Sequence, residues 1–265
     1  MIAVMSILGV VFWAWAIDAL VNDDEDDSSA NADSEPVSDE IAIDEGENDL
    51  LQGLESGDTP SGDVGEDVLI GNEGDDELSG GADDDLLLGG EGDDLVEGDE
   101  GGDVLFGGEG EDTLNGGSGA DLIDGTDRLD EDQLIASLQT AETSDDLVIE
   151  FTGEQDNDTG DVIDAGAGED IILMGSDDSV TGGADGDLFA GGWWIRPGDP
   201  AIVQDYDEDE DLLTYTYEGT TAPAITTDID AASGDATVFA DGEEVIVVIN
   251  AGPSFNASNV TLLQA

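Results

Sequence analysis

Apolar residues recur every nine positions through much of the chain, each within a short run bounded by glycine and aspartate. Seven nonapeptides follow one another without a gap from Gly62 to Asp124: GDVGEDVLI, GNEGDDELS, GGADDDLLL, GGEGDDLVE, GDEGGDVLF, GGEGEDTLN and GGSGADLID. In every one, position one is glycine, position six is aspartate and position eight is apolar. Because strand side chains alternate between two sides, we expect a short strand at the end of each repeat, with its position-eight side chain in a stacked core. That core is predicted to contain Leu69, Leu78, Leu87, Val96, Leu105, Leu114 and Ile123.

The same phase extends to both sides of these repeats. Upstream, DEGENDLLQ from Asp44 and GLESGDTPS from Gly53 place Asp49 and Asp58 at position six. The second of them has Pro60 at the inward position, and because proline cannot donate to a β-ladder, we expect this coil to be frayed. Downstream, the phase resumes in DNDTGDVID, AGAGEDIIL, the shortened MGSDDSVT and GGADGDLFA. The position-six aspartates are Asp161, Asp170, Asp178 and Asp187, and the inward apolar residues are Ile163, Ile172, Val180 and Phe189.

The register breaks between Asp124 and this second block. From Glu131 to Glu142 the apolar residues Leu134, Ile135 and Leu138 follow helical spacing, and Asp130 is a suitable N-cap. The pattern predicts a helix with one apolar face, packed over the repeats or, alternatively, bound to a partner. Two arrangements of the second block fit the sequence: it stacks directly on the first block with the insertion looped out, or it forms a separate short roll. The stacked arrangement is favoured because it buries more surface.

From Trp193 the chain changes to β-branched and aromatic runs, with Asp241 and Gly242 as a hairpin turn between two strands. We expect a small antiparallel cap, because the last coil of a repeat stack otherwise exposes its core and an unpaired edge. The pair Trp193 and Trp194 is expected to seal that end rather than to bind carbohydrate. The run DYDEDEDLL from Asp205 lacks the glycine and terminal glutamate of an EF-hand loop and is interpreted as a solvated acidic turn.

The spacing of the aspartates indicates a metal lattice. Two nonapeptides make one flattened coil, so aspartates about 18 residues apart line the same edge. One edge is predicted to carry Asp67, Asp85, Asp103 and Asp121, and the other Asp76, Asp94 and Asp112. Glycine permits positive φ, so the glycine-rich half of each repeat can turn tightly and present carbonyl oxygens to an ion. Calcium takes roughly six to eight such hard oxygen ligands, whereas zinc and copper prefer His and Cys, which the chain lacks.

The repeats resemble the RTX (repeats in toxin) family of calcium-binding β-rolls, over about half of the chain. The resemblance implies an all-β fold, a parallel β-roll built as a calcium-binding nonapeptide solenoid that holds several Ca²⁺ ions. In that family the position-six aspartate and the loop carbonyl oxygens hold the ions. The implied aspartate ligands are Asp49, Asp67, Asp76, Asp85, Asp94, Asp103, Asp112, Asp121, Asp161, Asp170, Asp178 and Asp187. The implied glycine ligands are Gly71, Gly74, Gly80, Gly89, Gly92, Gly98, Gly107, Gly110, Gly116, Gly119 and Gly168.

The charge of the chain changes this picture in two ways. The chain has 71 acidic residues and only two basic ones, Arg128 and Arg196, which gives a net charge of −69. Such a chain repels itself, so we expect the repeats to be disordered without calcium and folded with it. A permanently disordered Gly/Asp tract is the alternative, but random composition would not keep apolar residues in phase at position eight. Nucleic acid is excluded as a partner by the charge.

The N-terminal residues 1–21 contain about sixteen uncharged residues, interrupted by Asp18. They are expected to form a single hydrophobic helix that anchors the chain in a membrane, although an A-x-A pattern at Ala14 to Ala16 also fits a cleaved signal peptide. Residues 22–43 are an acidic flexible linker. The further predicted segments are a repeat block at 44–124, an insertion at 125–155, a second repeat block at 156–192 and a cap at 193–265. Calcium availability places the acidic domain in the periplasm or outside the cell.

The sequence favours a non-enzymatic function. No His is available for a triad or a zinc site and no Cys for a nucleophile, and abundant carboxylates can imitate a glycosidase pair anywhere. The interpretation is a membrane-tethered calcium-binding structural or surface module. Two alternatives stay open: an accessory subunit that docks in a larger membrane complex through its N-terminal helix, and a secreted soluble calcium-binding protein.

Overall fold

The computed structural model describes residues 50–53, 57–129, 133–134 and 160–265. The predicted N-terminal helix, the acidic linker, Asp49 and Asp130 lie outside these residues. The described residues form eighteen strands. They are β1 Leu50–Gln52, β2 Val68–Glu73, β3 Glu77–Ala82, β4 Leu86–Glu91, β5 Leu95–Glu100, β6 Val104–Glu109, β7 Thr113–Ser118, β8 Leu122–Asp124, β9 Val162–Ala167, β10 Ile171–Leu173, β11 Ser179–Ala184, β12 Leu188–Gly192, β13 Ala201–Val203, β14 Leu212–Tyr217, β15 Ile225–Ile229, β16 Ala236–Ala240, β17 Glu243–Val248 and β18 Val260–Gln264.

The strands form two sheets that enclose one core. Sheet A has the order β1-β2-β4-β6-β8-β10-β12-β14-β18, and sheet B has the order β3-β5-β7-β9-β11-β13-β17-β16-β15. Alternate repeats therefore supply alternate sheets, as expected if two nonapeptides make one coil. Neighbouring strands of the repeats pair in parallel at equivalent positions, for example Leu69 with Leu87 and Leu87 with Leu105. The predicted all-β parallel β-roll is confirmed for the described residues.

Position eight of each repeat points into the core between the sheets. The seven residues predicted there from the first block are all fully buried, and so are Ile172, Val180 and Phe189 of the second block, with Ile163 only 1% exposed. The core is a continuous stack of apolar side chains, because every coil adds one inward side chain from sheet A and one from sheet B. This confirms the nonapeptide register on both sides of the insertion.

The second repeat block stacks directly on the first. Strand β10 pairs with β8, matching Ile172 to Ile123, and β9 pairs with β7, matching Ile163 to Leu114. The insertion therefore leaves and rejoins the roll at one turn between the sheets, which is the stacked arrangement that the sequence favoured.

A second apolar cluster lies on the outer face of sheet A, where the insertion crosses it. Leu129 and Leu134 of the insertion are buried there. Beneath them lie apolar residues from positions seven and nine of the sheet A repeats: Val68, Ile70, Leu86, Leu88 and Phe106. Gln133 and Leu134 are helical, within the predicted helix; the rest of that prediction lies outside the described residues. The insertion thus covers an apolar face that sheet B does not have.

The coil that contains Pro60 forms no strand in its described residues 57–61, but an isolated bridge joins Ser61 to Ser79 of β3. Pro60 is buried at the inward position, and its carbonyl accepts a hydrogen bond from Ser79 N at 3.1 Å. Asp58 O likewise accepts from Glu77 N at 2.9 Å. Proline is tolerated here because the coil lies before β3 at the end of sheet B, where its missing N–H is not needed by a further strand.

The C-terminal region is only partly the antiparallel cap that the sequence predicted. Strands β13, β14 and β18 continue the two sheets in parallel, and only β15, β16 and β17 are antiparallel. The hairpin turn at Asp241 and Gly242 is confirmed, with φ of 53° and 91°. Trp194 is buried in the core rather than at the end of the roll, because two further sheet A strands follow β12.

Among the helices of the described residues, none combines the length and apolar character needed to cross a membrane. The predicted membrane anchor at residues 1–21 belongs to the part of the chain that the structure does not describe.

Candidate metal centre

The position-six aspartates form a hydrogen-bonded column along each edge of the roll. On the first edge, the backbone N–H of Asp67 donates to Oδ1 of Asp85, and that of Asp85 donates to Oδ1 of Asp103, both at 2.8 Å. The column continues through Asp121, Asp170 and Asp187 with distances of 2.8, 2.9 and 3.1 Å. Each carboxylate is therefore fixed by the coil before it, which aligns the whole edge.

The second edge is built in the same way. The N–H of Asp76 donates to Oδ1 of Asp94 at 2.7 Å, and that of Asp94 donates to Oδ1 of Asp112 at 2.8 Å. The column continues to Asp161 at 2.9 Å and from there to Asp178 at 3.0 Å. The two-edge arrangement expected from the spacing is thus present in the described residues.

One oxygen of each carboxylate is fixed by this column, and the other faces the inside of the turn. On both edges there are aspartates whose Oδ2 is buried and accepts no hydrogen bond, namely Asp76, Asp85, Asp94, Asp103, Asp121 and Asp170. A buried ionised carboxylate without a counter-charge costs several kcal/mol or takes up a proton. A row of such oxygens therefore requires cations or protons.

Burial accordingly raises the pKa of these aspartates, with smaller contributions from neighbouring carboxylates. It raises the pKa of Asp85 and of Asp103 to about 8. The pKa of Asp170 rises to about 7 for the same reason, and that of Asp94 to about 6. At neutral pH part of this set would be protonated unless a cation replaced the proton.

The position-one glycines keep open the space in front of these oxygens. A Cβ added to Gly98 would lie 2.4 Å from Asp103 Oδ2 and 2.6 Å from Gly116 O of the next coil. We call such a site, formed by a position-one glycine, the position-six Oδ2 of its own repeat and the position-one carbonyl of the next coil, a glycine cradle. Complete cradles occur in the described residues at Gly53, Gly62, Gly71, Gly80, Gly89, Gly98 and Gly116.

Positions two and four take up positive φ, which allows adjacent loops to approach closely. A Cβ at Gly92 would lie 1.8 Å from Gly74 O of the preceding coil, so only glycine fits there. The predicted position-four residues Gly74, Gly92, Gly110, Gly119 and Gly168 all have positive φ. Where glycine is absent, Asn72, Asp83 or Asp99 occupies the left-handed region, which Asn and Asp tolerate better than other residues.

This donor set fits a hard divalent cation. Carboxylate and carbonyl oxygens converge on each cradle, and the sequence has no His or Cys. No group of three or more His, Cys, Asp or Glu side chains suited to a metal occurs in the described part of the chain. The cradle differs from such a site because it pairs one carboxylate with a backbone carbonyl.

The predicted glycines do not all complete a cradle. Gly107 meets only Asp112 among its nearest atoms, at the height where the insertion leaves the roll. Position one is alanine at Ala165 and methionine at Met174, and both side chains are buried in the core. The predicted ligands Asp112, Asp170 and Asp178 therefore belong to the columns, but their cradles are altered.

Two aspartates in the columns were missed by the sequence reasoning about ligands. Asp58 donates its N–H to Oδ1 of Asp76, which begins the second column within the described residues. Asp187 N donates to Oδ1 of Asp211 at 3.0 Å, so the run from Asp205 is not merely a solvated turn. The signal for Asp211 was available, because the buried Leu213 follows it by the two residues that separate positions six and eight.

Comparison with known proteins supports the identity of the repeats. Residues 61–96 and 97–127 match the family described as the RTX calcium-binding nonapeptide repeat (4 copies), which is about a quarter of the chain. The matched repeats are of the kind that binds several calcium ions. A comparison with curated proteins finds no match.

Among solved structures, the chain is similar to the extracellular lipase LipA from Serratia marcescens, with 13% sequence identity and a TM-score of 0.29. The similarity covers 75% of this chain and 45% of the lipase chain. The chain thus spans less than half the length of that protein.

Proposed function

We propose that this chain is a non-enzymatic structural module whose β-roll is held together by calcium ions in the glycine cradles. The observation that carries the proposal is the row of buried Oδ2 oxygens, of which those of Asp76, Asp85, Asp94, Asp103 and Asp121 share a glycine cradle with a carbonyl oxygen of the next coil. The Oδ2 atoms of the position-six aspartates would hold the ions together with the loop carbonyls. Calcium would supply the positive charge that these oxygens lack.

The residues of the chain orient these oxygens and keep water out of the roll. Oδ1 of each aspartate is held by the backbone N–H of the coil before it, so a coil that has already folded orients Oδ2 of the next coil for its ion. Such preorganisation reduces the entropy that binding costs. The apolar column excludes water from the centre of the roll and sets the distance between the edges.

The non-enzymatic assignment rests on how the carboxylates are used. The buried aspartates are committed to the columns, and the sequence offers neither His nor Cys for acid–base or nucleophilic chemistry. The net charge of −69 favours a location where calcium is abundant, because a multi-site module of the extracellular type fills at about 10⁻⁴ to 10⁻³ M. The proposal therefore places the roll in the periplasm or outside the cell, tethered to a membrane by residues 1–21.

Far-UV circular dichroism of the full chain in detergent tests calcium-dependent folding. The β signal should be weak in chelator and should rise as calcium enters the millimolar range. Magnesium at the same concentration should restore much less signal, because it demands near-ideal octahedral geometry and dehydrates reluctantly. Identical spectra in chelator and in calcium would contradict the proposal.

The tether is tested by intact mass and carbonate extraction of the native protein. A chain that begins at Met1 and stays with membranes after carbonate washing supports the anchor, since salt and alkali do not release a buried helix. Co-purification with a stoichiometric membrane protein would favour the accessory-subunit alternative. A chain that begins at Ile17 would remove the anchor and leave a secreted calcium-binding protein.

A further inference from the structure

The last glycine-rich loop of the first edge differs from a regular loop in the groups that accept its hydrogen bonds. In a regular coil the position-one N–H donates to the position-nine carbonyl of the next coil, as from Gly62 to Ser79 at 2.9 Å. The N–H of Gly182 donates instead to a side chain, Oδ1 of Asp205, at 2.9 Å. The N–H of Gly183 donates to Oδ2 of the same carboxylate, also at 2.9 Å. One carboxylate therefore accepts hydrogen bonds from two adjacent backbone donors of this loop.

Asp205 stands where the next coil would begin with glycine. Strand β13 pairs Val203 with Val180 of β11, so Gln204 takes position nine and Asp205 takes the place after it. A charged side chain thus provides the acceptors that the backbone provides elsewhere. Hydrogen bonds to an ionised carboxylate are about twice as strong as those between neutral groups. Because Asp205 is exposed, water also solvates its charge.

The loop that follows contains no glycine and is shaped by carboxylates. The N–H of Asp207 donates to Oδ2 of Asp211 at 2.7 Å, and Oδ1 of Asp211 accepts from the N–H of Asp187 at 3.0 Å. A Cβ added to Gly186 would lie 2.7 Å from Glu210 O, so this loop lies directly against the last glycine-rich loop. It is therefore the final turn of the first edge, with both oxygens of its position-six aspartate engaged by backbone donors.

The space in which a complete cradle would hold its ion is partly filled in the last glycine-rich loop. A Cβ added to Gly182 would lie 2.3 Å from Asp187 Oδ2, but its next neighbour is Cζ of the Phe189 ring at 2.7 Å. At Gly98 the corresponding neighbour is an oxygen, Gly116 O, at 2.6 Å. Calcium needs roughly six to eight oxygen ligands, and a ring carbon cannot replace one of them.

The ring of Phe189 is held in this position by packing. Phe189 is fully buried. Its ring makes an edge contact with Tyr206, with 6.2 Å between the ring centroids, and Tyr206 makes a second edge contact with Phe255 at 5.8 Å. The glycine-free loop, which contains Tyr206, thus supports the ring that faces Asp187.

We propose that Asp205 closes the last glycine-rich loop of the first edge without an ion, and that the calcium column of this edge ends before it. The carboxylate of Asp205 holds Gly182 and Gly183 in place, and the Phe189 ring occupies the front of Asp187 Oδ2. Asp187 belongs to the hydrogen-bonded column but is not a calcium ligand. Asp205 is a positioning residue, because it acts on the loop and not on an ion. The inference rests on the proposed calcium function for what the earlier loops bind.

Amide hydrogen exchange of the full chain, in detergent and saturating calcium, tests the role of Asp205. Asp205→Ala removes both acceptors and Asp205→Asn keeps one, whereas the control Asp209→Ala removes an exposed carboxylate from the same loop. Exchange at Gly182 and Gly183 should become about ten-fold faster or more in Asp205→Ala, because two hydrogen bonds to a charged group are lost. The increase should be smaller in Asp205→Asn and absent in Asp209→Ala.

Unchanged exchange at both glycines in Asp205→Ala would overturn the inference. Equal acceleration in Asp205→Ala and Asp209→Ala would also overturn it, since a general effect of charge would then explain the change. If Asp205→Ala does not fold, Asp205→Asn decides by the same comparison. Failure of both variants to fold while Asp209→Ala folds would contradict the inference as well, because closing one terminal loop cannot account for unfolding of the whole roll.

Crystals of the native full chain grown in calcium test whether this loop lacks an ion. Anomalous difference density should show a peak beside Asp103 Oδ2 but none within about 2.6 Å of Asp187 Oδ2. A peak at Asp187 would contradict the inference. If no cradle shows a peak, the proposed function fails, whereas the exchange at Gly182 and Gly183 still decides whether Asp205 closes the loop.

Discussion

The backbone N–H of Asp112 donates to Oδ1 of Asp161 at 2.9 Å, although 49 residues separate them in sequence. On the same edge the corresponding partners before the insertion are 18 residues apart, as in the bond from Asp94 to Asp112. The column of aspartates therefore passes the insertion without a gap. The roll behaves as one stack in which each coil orients a carboxylate of the next.

Coupling along an edge should exceed coupling between sequence neighbours. Asp85→Asn retains the shape of the side chain but removes the charge between Asp67 and Asp103, to which Asp85 is hydrogen-bonded. We expect lower ion occupancy at these two positions, with Asp94 on the other edge less affected. Occupancies refined from crystals of the variant grown in calcium provide the measurement.

Asp84→Asn is the control for this change. Asp84 precedes Asp85 and accepts a hydrogen bond from Gly102 N at 2.8 Å, but it lies at position five, outside the columns. It should leave the occupancies near native values. An equal loss on both edges in Asp85→Asn would show that the ions are not organised by edge.

A methyl group in a cradle should compete with the ion. In Gly98→Ala the new Cβ would lie 2.4 Å from Asp103 Oδ2 and 2.6 Å from Gly116 O, so one of the oxygens must move. We expect a several-fold higher calcium concentration at the folding midpoint, measured by far-UV circular dichroism. Gly102→Ala, in the same repeat, meets nothing closer than 3.3 Å and should change the midpoint little. Equal midpoints in both variants would refute the role of the cradle.

Stability without calcium should fall as the pH rises. Burial raises the pKa of Asp85 and Asp103 to about 8, whereas an unfolded aspartate has a pKa of about 3.9. Between these values the folded state holds more protons than the unfolded state, so its stability decreases from pH 4 towards about pH 8. In chelator, the β signal should therefore be stronger near pH 5 than near pH 8.5.

Exposed carboxylates titrate near pH 4, so a change between about pH 6 and 8 reports on the buried columns. The same protons compete with calcium, and the calcium midpoint should rise as the pH falls through this range. A calcium-free spectrum and a calcium midpoint that are both constant from pH 6 to pH 8.5 would show that the buried aspartates do not titrate there.

The outer face of sheet A should contribute to stability through the insertion. Leu88 is at position nine and fully buried under the cluster that includes Leu129 and Leu134. Leu88→Ala should cost about 2 to 5 kcal/mol of unfolding free energy in saturating calcium, the usual range for a buried leucine. Leu95→Ala, at a partly exposed place on sheet B, should cost clearly less. If urea unfolding showed similar losses of unfolding free energy for the two variants, the outer face of sheet A would not be covered in solution.

The repeat register could be predicted because every repeat has the same residue types at the same positions. Position eight is apolar in Leu69, Leu78 and Leu87 alike, and a shift by one residue would turn all of them outward. The columns followed from the same phase, since two repeats per coil bring Asp85 and Asp103 to one edge. Periodicity thus predicted both the core and the candidate ligands.

The parts that escaped prediction depend on contacts outside the repeat. The coil of Pro60 forms no strand, but its backbone carbonyls still accept hydrogen bonds from β3, which the place of Pro60 at the end of sheet B permits. Asp211 was passed over because glycine is absent from its loop, where Tyr206 packs between Phe189 and Phe255 instead, although its spacing to Leu213 fits the repeat.

The apolar outer face of sheet A could have been read from the sequence. Both positions seven and nine are apolar in the first, third and fifth repeats, as in Val68 and Ile70, whereas position nine is polar in the second, fourth and sixth repeats, as in Ser79. Only a layer packed on one sheet explains that alternation. The insertion supplies it, with Leu134 at its buried centre.

A crystal structure of the full chain grown in calcium, with anomalous difference density measured at long wavelength, tests the central claim most directly. The account predicts two columns of peaks, one along each edge, within about 2.3 to 2.6 Å of the Oδ2 atoms of aspartates such as Asp85 and Asp94. Peaks confined to exposed carboxylates such as Asp93, with the buried Oδ2 atoms unliganded, would contradict the account.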